Sequence, residues 1–125
     1  MLKRQHHIAI IVSDYEKARE FYVEKLGFSL VREVWREEQL DYLRMLRQGE
    51  TCLELFVKPD APERVTNPEA MGLRHLAFHV ENVEEAAAWL NGMGIETEPI
   101  RVDKVNGGRF TFFRDPDGLP LELHE

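Results

Sequence analysis

The chain contains the stretch His7-Ile8-Ala9-Ile10-Ile11-Val12 and, 68 residues later, its counterpart His75-Leu76-Ala77-Phe78-His79-Val80. The segments Leu53-Glu54-Leu55 and Leu121-Glu122-Leu123 have the same offset. A pattern that returns at a fixed offset indicates a duplicated structural unit. Each copy supplies one imidazole and one carboxylate, and groups at equivalent points of a duplicated fold can converge on one site. The repeat therefore predicts a site for a divalent metal.

Length and composition limit the classes of function. A chain of 125 residues that is 43% hydrophobic has room for one domain with its own core. The net charge of −7 leaves no basic face for a phosphate backbone, so we expect no nucleic acid and no membrane partner. The apolar run Ile8 to Val12 is too short for a signal peptide or a membrane span. A single cysteine, Cys52, agrees with a reducing compartment, and we expect a cytoplasmic protein.

Strand alternation separates the side chains of each copy onto two faces. In the first strand Ile8, Ile10 and Val12 point one way, and His7, Ala9 and Ile11 point the other. The second copy divides in the same way. We expect the aliphatic face to pack on helices and the histidine face to line a cleft. Because Glu54 and Glu122 are each flanked by leucines that should be buried, both carboxylates are expected to face that cleft.

Each copy predicts a strand, a helix and three further strands. Asp14 and Asn82 are helix N-cap candidates, and Gly27 and Gly94 are expected to end the helices. The later strands are expected at about Phe28 to Arg36, Asp41 to Arg47, Thr51 to Val57, Glu96 to Val102, Gly108 to Arg114 and Pro120 to His124. The turn Asp115-Pro116-Asp117-Gly118 should aim the strand that carries Glu122.

The predicted fold class is α+β, with two paired βαβββ modules forming a curved eight-stranded mixed sheet around a metal-binding cleft. We expect one domain over residues 1–125, with module one at about 1–58, a proline-containing linker at about 59–72 and module two at about 73–125.

The candidate metal ligands are His7, Glu54, His75 and Glu122. Two nitrogen and two oxygen donors suit one divalent ion of nickel, cobalt, zinc, manganese or iron, and they leave positions for water or substrate. His6 competes with His7, but alternation turns His6 away from the cleft. His79 and His124 have no histidine counterpart in the other copy, so we expect hydrogen-bonded or exposed imidazoles there. Cys52 is expected to be a small buried thiol.

These residues resemble the vicinal oxygen chelate superfamily and, within it, the glyoxalase I (lactoylglutathione lyase) branch, whose fold is shared with bleomycin-resistance proteins. The resemblance rests on the two histidine-led strands, on Lys25-Leu26-Gly27-Phe28, and on Phe113-Arg114-Asp115-Pro116-Asp117-Gly118 leading into Leu121-Glu122-Leu123. It covers nearly the whole chain. Glyoxalase I enzymes carry ligands of the types His, Glu, His and Glu, which this chain matches.

The resemblance implies a lyase or isomerase that acts on the hemithioacetal of an α-ketoaldehyde and a thiol. A carboxylate removes the proton from the hydroxyl-bearing carbon, the metal stabilises the enediolate, and the proton returns to the adjacent carbon. Glu122 matches the glutamate assigned as the base, and Glu54 is a ligand that shares in the proton transfer. The implied partners are a small-molecule substrate and a second copy of the chain in a homodimer. Whether the site forms within one chain or across two is left open.

One departure concerns the thiol. Glutathione-using members carry an arginine where this chain has Ile11, and their asparagine after the first glutamate is absent, with Lys58 nearby. Another thiol, or a substrate without glutathione, is therefore an alternative. Arg44, Arg47, Arg109 and Arg114 are candidates for a different anion contact, although exposed arginines are usually only solvated.

Three other functions compete with the glyoxalase prediction. A metal-dependent epimerase that abstracts the proton beside the carbonyl of a CoA thioester needs similar chemistry, as would another small-molecule metalloenzyme of the superfamily. A non-catalytic binding protein is the third alternative, and the retention of all four ligand types argues against it.

Overall fold

The computed structural model describes residues 1–125 and divides the chain into two compact units, Met1–Pro62 and Glu63–Glu125. We call them the first and second modules. The first module contains β1 (Ile8–Val12), α1 (Tyr15–Arg19), β2 (Ser29–Arg36), β3 (Asp41–Gln48) and β4 (Thr51–Val57). Helix α1 continues as a π-helical segment, Glu20–Lys25. The second module contains β5 (Leu76–His79), α2 (Val83–Gly92), β6 (Arg101–Val102), β7 (Arg109–Arg114) and β8 (Pro120–His124).

Each module has one four-stranded mixed sheet with the same topology. The strand order is β1-β4-β3-β2 in the first module and β5-β8-β7-β6 in the second. In both, the first strand of the module runs parallel to the last, and the remaining pairs are antiparallel. The parallel pairing brings the histidine end of each module beside its glutamate strand, although the two are far apart in sequence.

The helix starts follow the cap chemistry expected from the sequence. The Asp14 carboxylate accepts a hydrogen bond from the backbone N–H of Lys17 at 3.0 Å. Asn82 accepts from the backbone N–H groups of Glu84 and Glu85 at 3.0 and 3.1 Å. Both side chains thus satisfy N–H groups that have no partner within the helix.

The core of each module lies between its sheet and its helix. In the first module the almost fully buried side chains include Val12, Tyr22, Leu53 and Leu55. In the second, the fully buried side chains include Val83, Leu90, Thr111 and Leu121. Full burial of one such apolar side chain stabilises the folded state by about 1.5–3 kcal/mol. Successive strand residues point to opposite faces of the sheet. The face that carries the histidines is therefore not the face that packs on the helix.

The side chain of Glu125 links β7 to the start of α2 in the second module. Its carboxylate accepts hydrogen bonds from Arg109 at 2.9 and 2.6 Å and from the backbone N–H of Val83 at 2.9 Å. The Arg109 guanidinium, with a smaller contribution from the Val83 N–H, lowers the pKa of Glu125 to about 2. The chain end therefore connects β7 to the start of α2.

The predicted fold class is confirmed: the protein is α+β, built from two βαβββ modules with eight strands in two four-stranded mixed sheets. Gly27 and Gly94 have positive φ angles of 85° and 79°, which fits their role at the helix ends. One strand is shorter than expected: only Arg101–Val102 of the interval Glu96 to Val102 is extended in the sheet. Pro99 lacks the N–H that a continuous ladder needs. The prediction of one domain over residues 1–125 stays a prediction. Neither helix has the length and the apolar composition that a membrane span requires.

Candidate metal centre

The first module pairs His7 with Glu54. The His7 Nε2 atom lies 3.2 Å from Glu54 Oε2, and only 9% of Glu54 is exposed. The register explains the contact: Ala9 lies opposite Glu54 across the β1–β4 ladder, and His7 is two residues earlier on the same face. A methyl group at position 9 leaves room for the imidazole to reach the carboxylate. His6 instead contacts the far side of His7, with 2.8 Å between their Nδ1 atoms.

The second module repeats this arrangement with His75 and Glu122. His75 Nε2 lies 2.7 Å from Glu122 Oε2, and 8% of Glu122 is exposed. Ala77 lies opposite Glu122 across the β5–β8 ladder, as Ala9 lies opposite Glu54. The Phe112 ring packs edge-on against His75 with 5.1 Å between ring centroids. The duplicated sequence therefore folds into duplicated His–Glu pairs with the same register.

The donor types of the two His–Glu pairs fit a divalent metal, although each pair supplies only two donors. An imidazole nitrogen and a carboxylate oxygen in each pair are donors that divalent transition metals accept. Each glutamate already has its histidine as a partner, and no buried polar side-chain atom of the chain is without a hydrogen bond. No group of three or more His, Cys, Asp or Glu side chains is arranged to hold an ion. Each pair thus fits as half of a ligand set, and the same contact is a hydrogen bond or ion pair when no metal is bound.

The second pair opens into a cleft of about 880 Å³ in the second module. Besides His75 and Glu122, its wall includes Phe110, Phe112 and Arg114. These residues share a face because β7 and β8 are antiparallel, with Phe112 opposite Glu122 and Arg114 opposite Pro120. The cleft is large enough to enclose a small molecule beside Glu122.

A second imidazole in this cleft, His124, is held in place by its neighbours. Its Nδ1 lies 2.6 Å from the Glu125 carbonyl and its Nε2 3.3 Å from the Asp103 carboxylate, while its ring stacks on Phe110. The Glu125 carbonyl and, next, the Asp103 carboxylate raise the pKa of His124. An imidazole engaged at both nitrogens is not free to bind a metal. His79 lies on the exposed part of β5.

The corresponding face of the first module carries a charged cluster. Arg36 donates two hydrogen bonds of 2.7 Å to Asp41 and lies 4.7 Å from the centroid of the Phe56 ring. The Arg36 guanidinium lowers the pKa of Asp41. Ile11, on the same face of β1 as His7, is 55% exposed and offers no charge. The structure thus has an apolar surface where glutathione-using relatives were expected to carry a guanidinium.

The turn after β7 orients Glu122. Asp115 is only 4% exposed, and its Oδ1 accepts hydrogen bonds from the backbone N–H groups of Asp117 and Leu119, both at 2.9 Å. Gly118, at a φ of 83°, completes the reversal. The buried carboxylate therefore fixes the point at which β8 begins, at Pro120, two residues before Glu122.

Sequence reasoning found the His–Glu pairs but missed some of their neighbours. Cys52 is buried, as expected. Phe112, Asp103 and Arg101 were not singled out, although all three line the cleft. The register of the hairpin around the Asp115 turn could have placed Phe112 opposite Glu122. The Asp103–His124 contact joins positions 21 residues apart, and no local sequence pattern indicates it.

A family model described as the glyoxalase/bleomycin resistance protein/dioxygenase superfamily matches residues 4–123. The chain belongs to this superfamily. The resemblance to vicinal oxygen chelate proteins is therefore confirmed. A solved glyoxalase family protein from Enterococcus faecalis is 55% identical, with a TM-score of 0.93 and 98% of each chain covered.

Two relatives within the superfamily are similar over their full length. YwkD of Bacillus subtilis is 58% identical, covering 100% of this chain and 98% of that protein, and YaeR of Escherichia coli is 50% identical, covering 99% and 97%. A 2-epi-5-epi-valiolone epimerase from Actinomyces is 34% identical over 94% of this chain and 76% of the epimerase. The lactoylglutathione lyase of Schizosaccharomyces pombe is 29% identical over 94% of this chain and 46% of that enzyme. The superfamily thus includes enzymes that act on different small molecules.

Proposed function

We propose that the protein is a metal-dependent lyase or isomerase of glyoxalase I type. The observation that carries the proposal is the repeated His–Glu pair: His7 with Glu54 and His75 with Glu122, each formed at the same ladder position. Buried carboxylates on a face that is not part of the core cost desolvation energy that a purely structural sheet would avoid. A function that uses both carboxylates accounts for their retention in both modules.

His7, Glu54, His75 and Glu122 would hold one divalent ion of nickel, cobalt, zinc, manganese or iron per site. When bound, such an ion supplies Lewis-acid stabilisation of negative charge that develops on the substrate oxygens. Two donors alone leave a transition metal weakly held, so a complete site needs two His–Glu pairs, which one chain or two chains of a dimer would supply.

Glu122 is proposed as the base that moves the substrate proton. It would take the proton from the hydroxyl-bearing carbon of the hemithioacetal and return it to the adjacent carbon, giving a thioester. Leu121 and Leu123 are buried on either side of it, and Phe112 lies across the ladder. The two leucines anchor the strand from its core face, and the Phe112 ring covers part of the cleft beside the carboxylate, which limits the access of water to it. Glu54, equally buried, is proposed to be a ligand that shares the proton transfer.

The proposed substrate is a small thiol adduct other than the glutathione adduct. Ile11 presents an aliphatic side chain on the site face, which cannot bind a glutathione carboxylate. A homodimer in the cytoplasm is part of the proposal, and sedimentation analysis of the purified protein tests the oligomeric state.

Epimerisation is a second candidate, favoured by the 34% identical epimerase. Abstracting a proton beside a carbonyl and returning it to the same carbon needs the same base and the same stabilisation of the enolate. The two candidates differ in where the proton returns, so deuterium incorporation from heavy water separates them. A glyoxalase delivers label to the adjacent carbon, whereas an epimerase delivers it to the carbon that was deprotonated.

The test combines metal analysis with turnover on methylglyoxal and several thiols. Native protein should retain about one divalent ion per site, and His75→Ala and Glu54→Ala should lose it. Glu122→Gln should lower kcat by about 10²-fold or more while some metal remains. Full metal content in both alanine variants would show that His75 and Glu54 are not metal ligands. Unchanged turnover in Glu122→Gln would show that another group is the base.

A further inference from the structure

Four rings form a continuous row along the cleft of the second module. The row runs in the order His75, Phe112, Phe110 and His124, and the centroids of neighbouring rings are 5.1, 5.9 and 5.9 Å apart. These distances lie within the range of about 4.5–7 Å that aromatic pairs prefer. The row follows from the β7–β8 register, in which Phe112 lies opposite Glu122 and Phe110 lies opposite His124. This ring row therefore starts at the His75–Glu122 pair and extends away from it along the two strands.

Arg101 covers the middle of the ring row. Its guanidinium carbon lies 5.1 Å from the centroid of Phe110 and 5.6 Å from that of Phe112. The same guanidinium donates to Glu98 at 3.3 Å, so its charge is balanced by a neighbouring carboxylate. Both phenylalanine rings line the cleft and are half-buried. The row thus presents apolar surface to the cleft directly beside the proposed base.

The fold does not require rings at these two positions. Met45 lies opposite the glutamate of the first module, where Phe112 lies opposite that of the second. Leu43, two residues before Met45, corresponds to Phe110. The repeat therefore keeps histidine, alanine and glutamate in both modules, whereas the rings are present in the second module alone. Since the same sheet forms with leucine and methionine, we attribute the rings to what the second cleft binds.

We propose that the substrate of this site carries a flat aromatic group, which packs on Phe110 and Phe112 while the reacting carbon lies beside Glu122. The inference rests on the proposed function and narrows its carbonyl substrate to an aryl-substituted one. At about 3.3 Å per residue, Phe110 lies about 7 Å further along the sheet than Phe112, a step that one aryl ring on the reacting carbon spans.

The size of the cleft agrees with a substrate of this kind. Its volume of about 880 Å³ lies within the range of about 300–1,000 Å³ that is typical of pockets for drug-sized ligands. A three-carbon α-ketoaldehyde would leave most of this space to water. An aryl group would fill more of it and would continue the edge-to-face and stacked contacts that the four rings already make.

An anionic substituent is the competing chemistry. The exposed cations Arg64, Lys104 and Arg114 also line the cleft. They lie on three separate segments, the start of the second module, the turn before β7 and the end of β7. The ring row is continuous and adjoins Glu122, so the observations favour the aromatic group, and an anionic probe is one arm of the test.

The experiment measures the binding of three hydroxamates to metal-loaded protein by calorimetry. Acetohydroxamate, benzohydroxamate and succinic monohydroxamate share one chelating group and carry a methyl group, a phenyl ring and a carboxylate. Native protein should bind benzohydroxamate about tenfold more tightly than acetohydroxamate. Phe110→Leu should reduce this ratio to about threefold or less and keep the affinity for acetohydroxamate. Trp89→Leu, which removes an exposed aromatic side chain of α2 outside the cleft, should leave the ratio unchanged.

Two results of this arm would overturn the aromatic site. One is a ratio that Phe110→Leu does not change, and the other is tighter binding of succinic monohydroxamate than of benzohydroxamate. Either result leaves the proposed function untouched, because all three probes report a bound metal through their shared chelating group.

A second arm decides the question if native protein binds no metal. Benzamide is titrated into protein treated with a chelator, and nuclear Overhauser effects from its ring protons to those of Phe110 and Phe112 are measured. If these effects are present in native protein and lost in Phe110→Leu, the proposed function fails and the aromatic site stands. If metal and Overhauser effects are both absent, both proposals are overturned.

Discussion

Replacing Asp115 by alanine should destabilise the second module and impair the site at the same time. The Asp115 carboxylate accepts two backbone hydrogen bonds of 2.9 Å, from Asp117 and Leu119, and is 4% exposed. A hydrogen bond to a charged acceptor contributes about 1.5 kcal/mol at the lower end of its range, so Asp115→Ala should lower the free energy of unfolding by about 3 kcal/mol. Asp115→Asn keeps an oxygen acceptor and should lose roughly half as much.

The assay is urea unfolding followed by circular dichroism, with the slope of the transition compared between variants. A lower midpoint with an unchanged slope assigns the effect to stability. Asp60→Ala is the matched control, because Asp60 is exposed and forms no hydrogen bond or ion pair, so its effect should stay within about 0.5 kcal/mol.

The turn also sets the start of β8, so turnover of Asp115→Ala should fall even under conditions where the variant is fully folded. A loss of stability below about 1 kcal/mol in Asp115→Ala would refute the reasoning that this carboxylate holds the turn. Normal turnover in a folded but destabilised variant would show that the turn stabilises the module but does not determine the position of Glu122.

Three further predictions concern other parts of the two modules. Gly108→Ala should lower the free energy of unfolding by about 1–3 kcal/mol, because the added Cβ would lie 2.7 Å from His124 Cε1. Gly92→Ala is the control and should not destabilise the protein, since its added Cβ would have no neighbour within 4 Å. Thermal unfolding of both variants measures the difference. The pKa of Glu125 is lowered from 4.5 to about 2, so its contribution to stability is present above pH 4.5 and is lost as the pH falls towards 2. Unfolding of Glu125→Gln should consequently depend less on pH in this window than that of native protein, and equal slopes would contradict the assignment. Ile11→Arg should raise kcat/KM for the glutathione hemithioacetal of methylglyoxal about tenfold relative to that of 2-mercaptoethanol, and an unchanged ratio would show that position 11 does not select the thiol.

The repeat and the period-two alternation were sufficient to predict the strands that carry the His–Glu pairs. His7, Ala9 and Ile11 were assigned to the face opposite Ile10 and Val12, and the burial of the two faces agrees. This worked because one side of β1 is packed and the other is not, which is the condition under which alternation is informative.

Features that depend on several strands at once were less predictable. The sequence offset of 68 relates β1 to β5 and β4 to β8, but the antiparallel partners Met45 and Phe112 are 67 residues apart, since the two hairpin turns differ in length. The extent of β6 was overestimated because a run of β-compatible residues around Pro99 was counted as a strand without counting its hydrogen-bond donors. The commitment of Arg44 and Arg109 to acidic partners likewise depends on tertiary contacts that no local pattern encodes.

The parallel pairing of the first and last strand of each module has a consequence for folding kinetics. The partners of each His–Glu pair lie 47 residues apart in the chain, so their contact closes a loop that includes nearly the whole module. Such contacts of high sequence separation carry a large entropic cost and are expected to form late. Neither half of the ligand set then exists in a partly folded module. A metal ion that binds these pairs would select chains whose modules have already closed, and it would slow their unfolding rather than guide their folding.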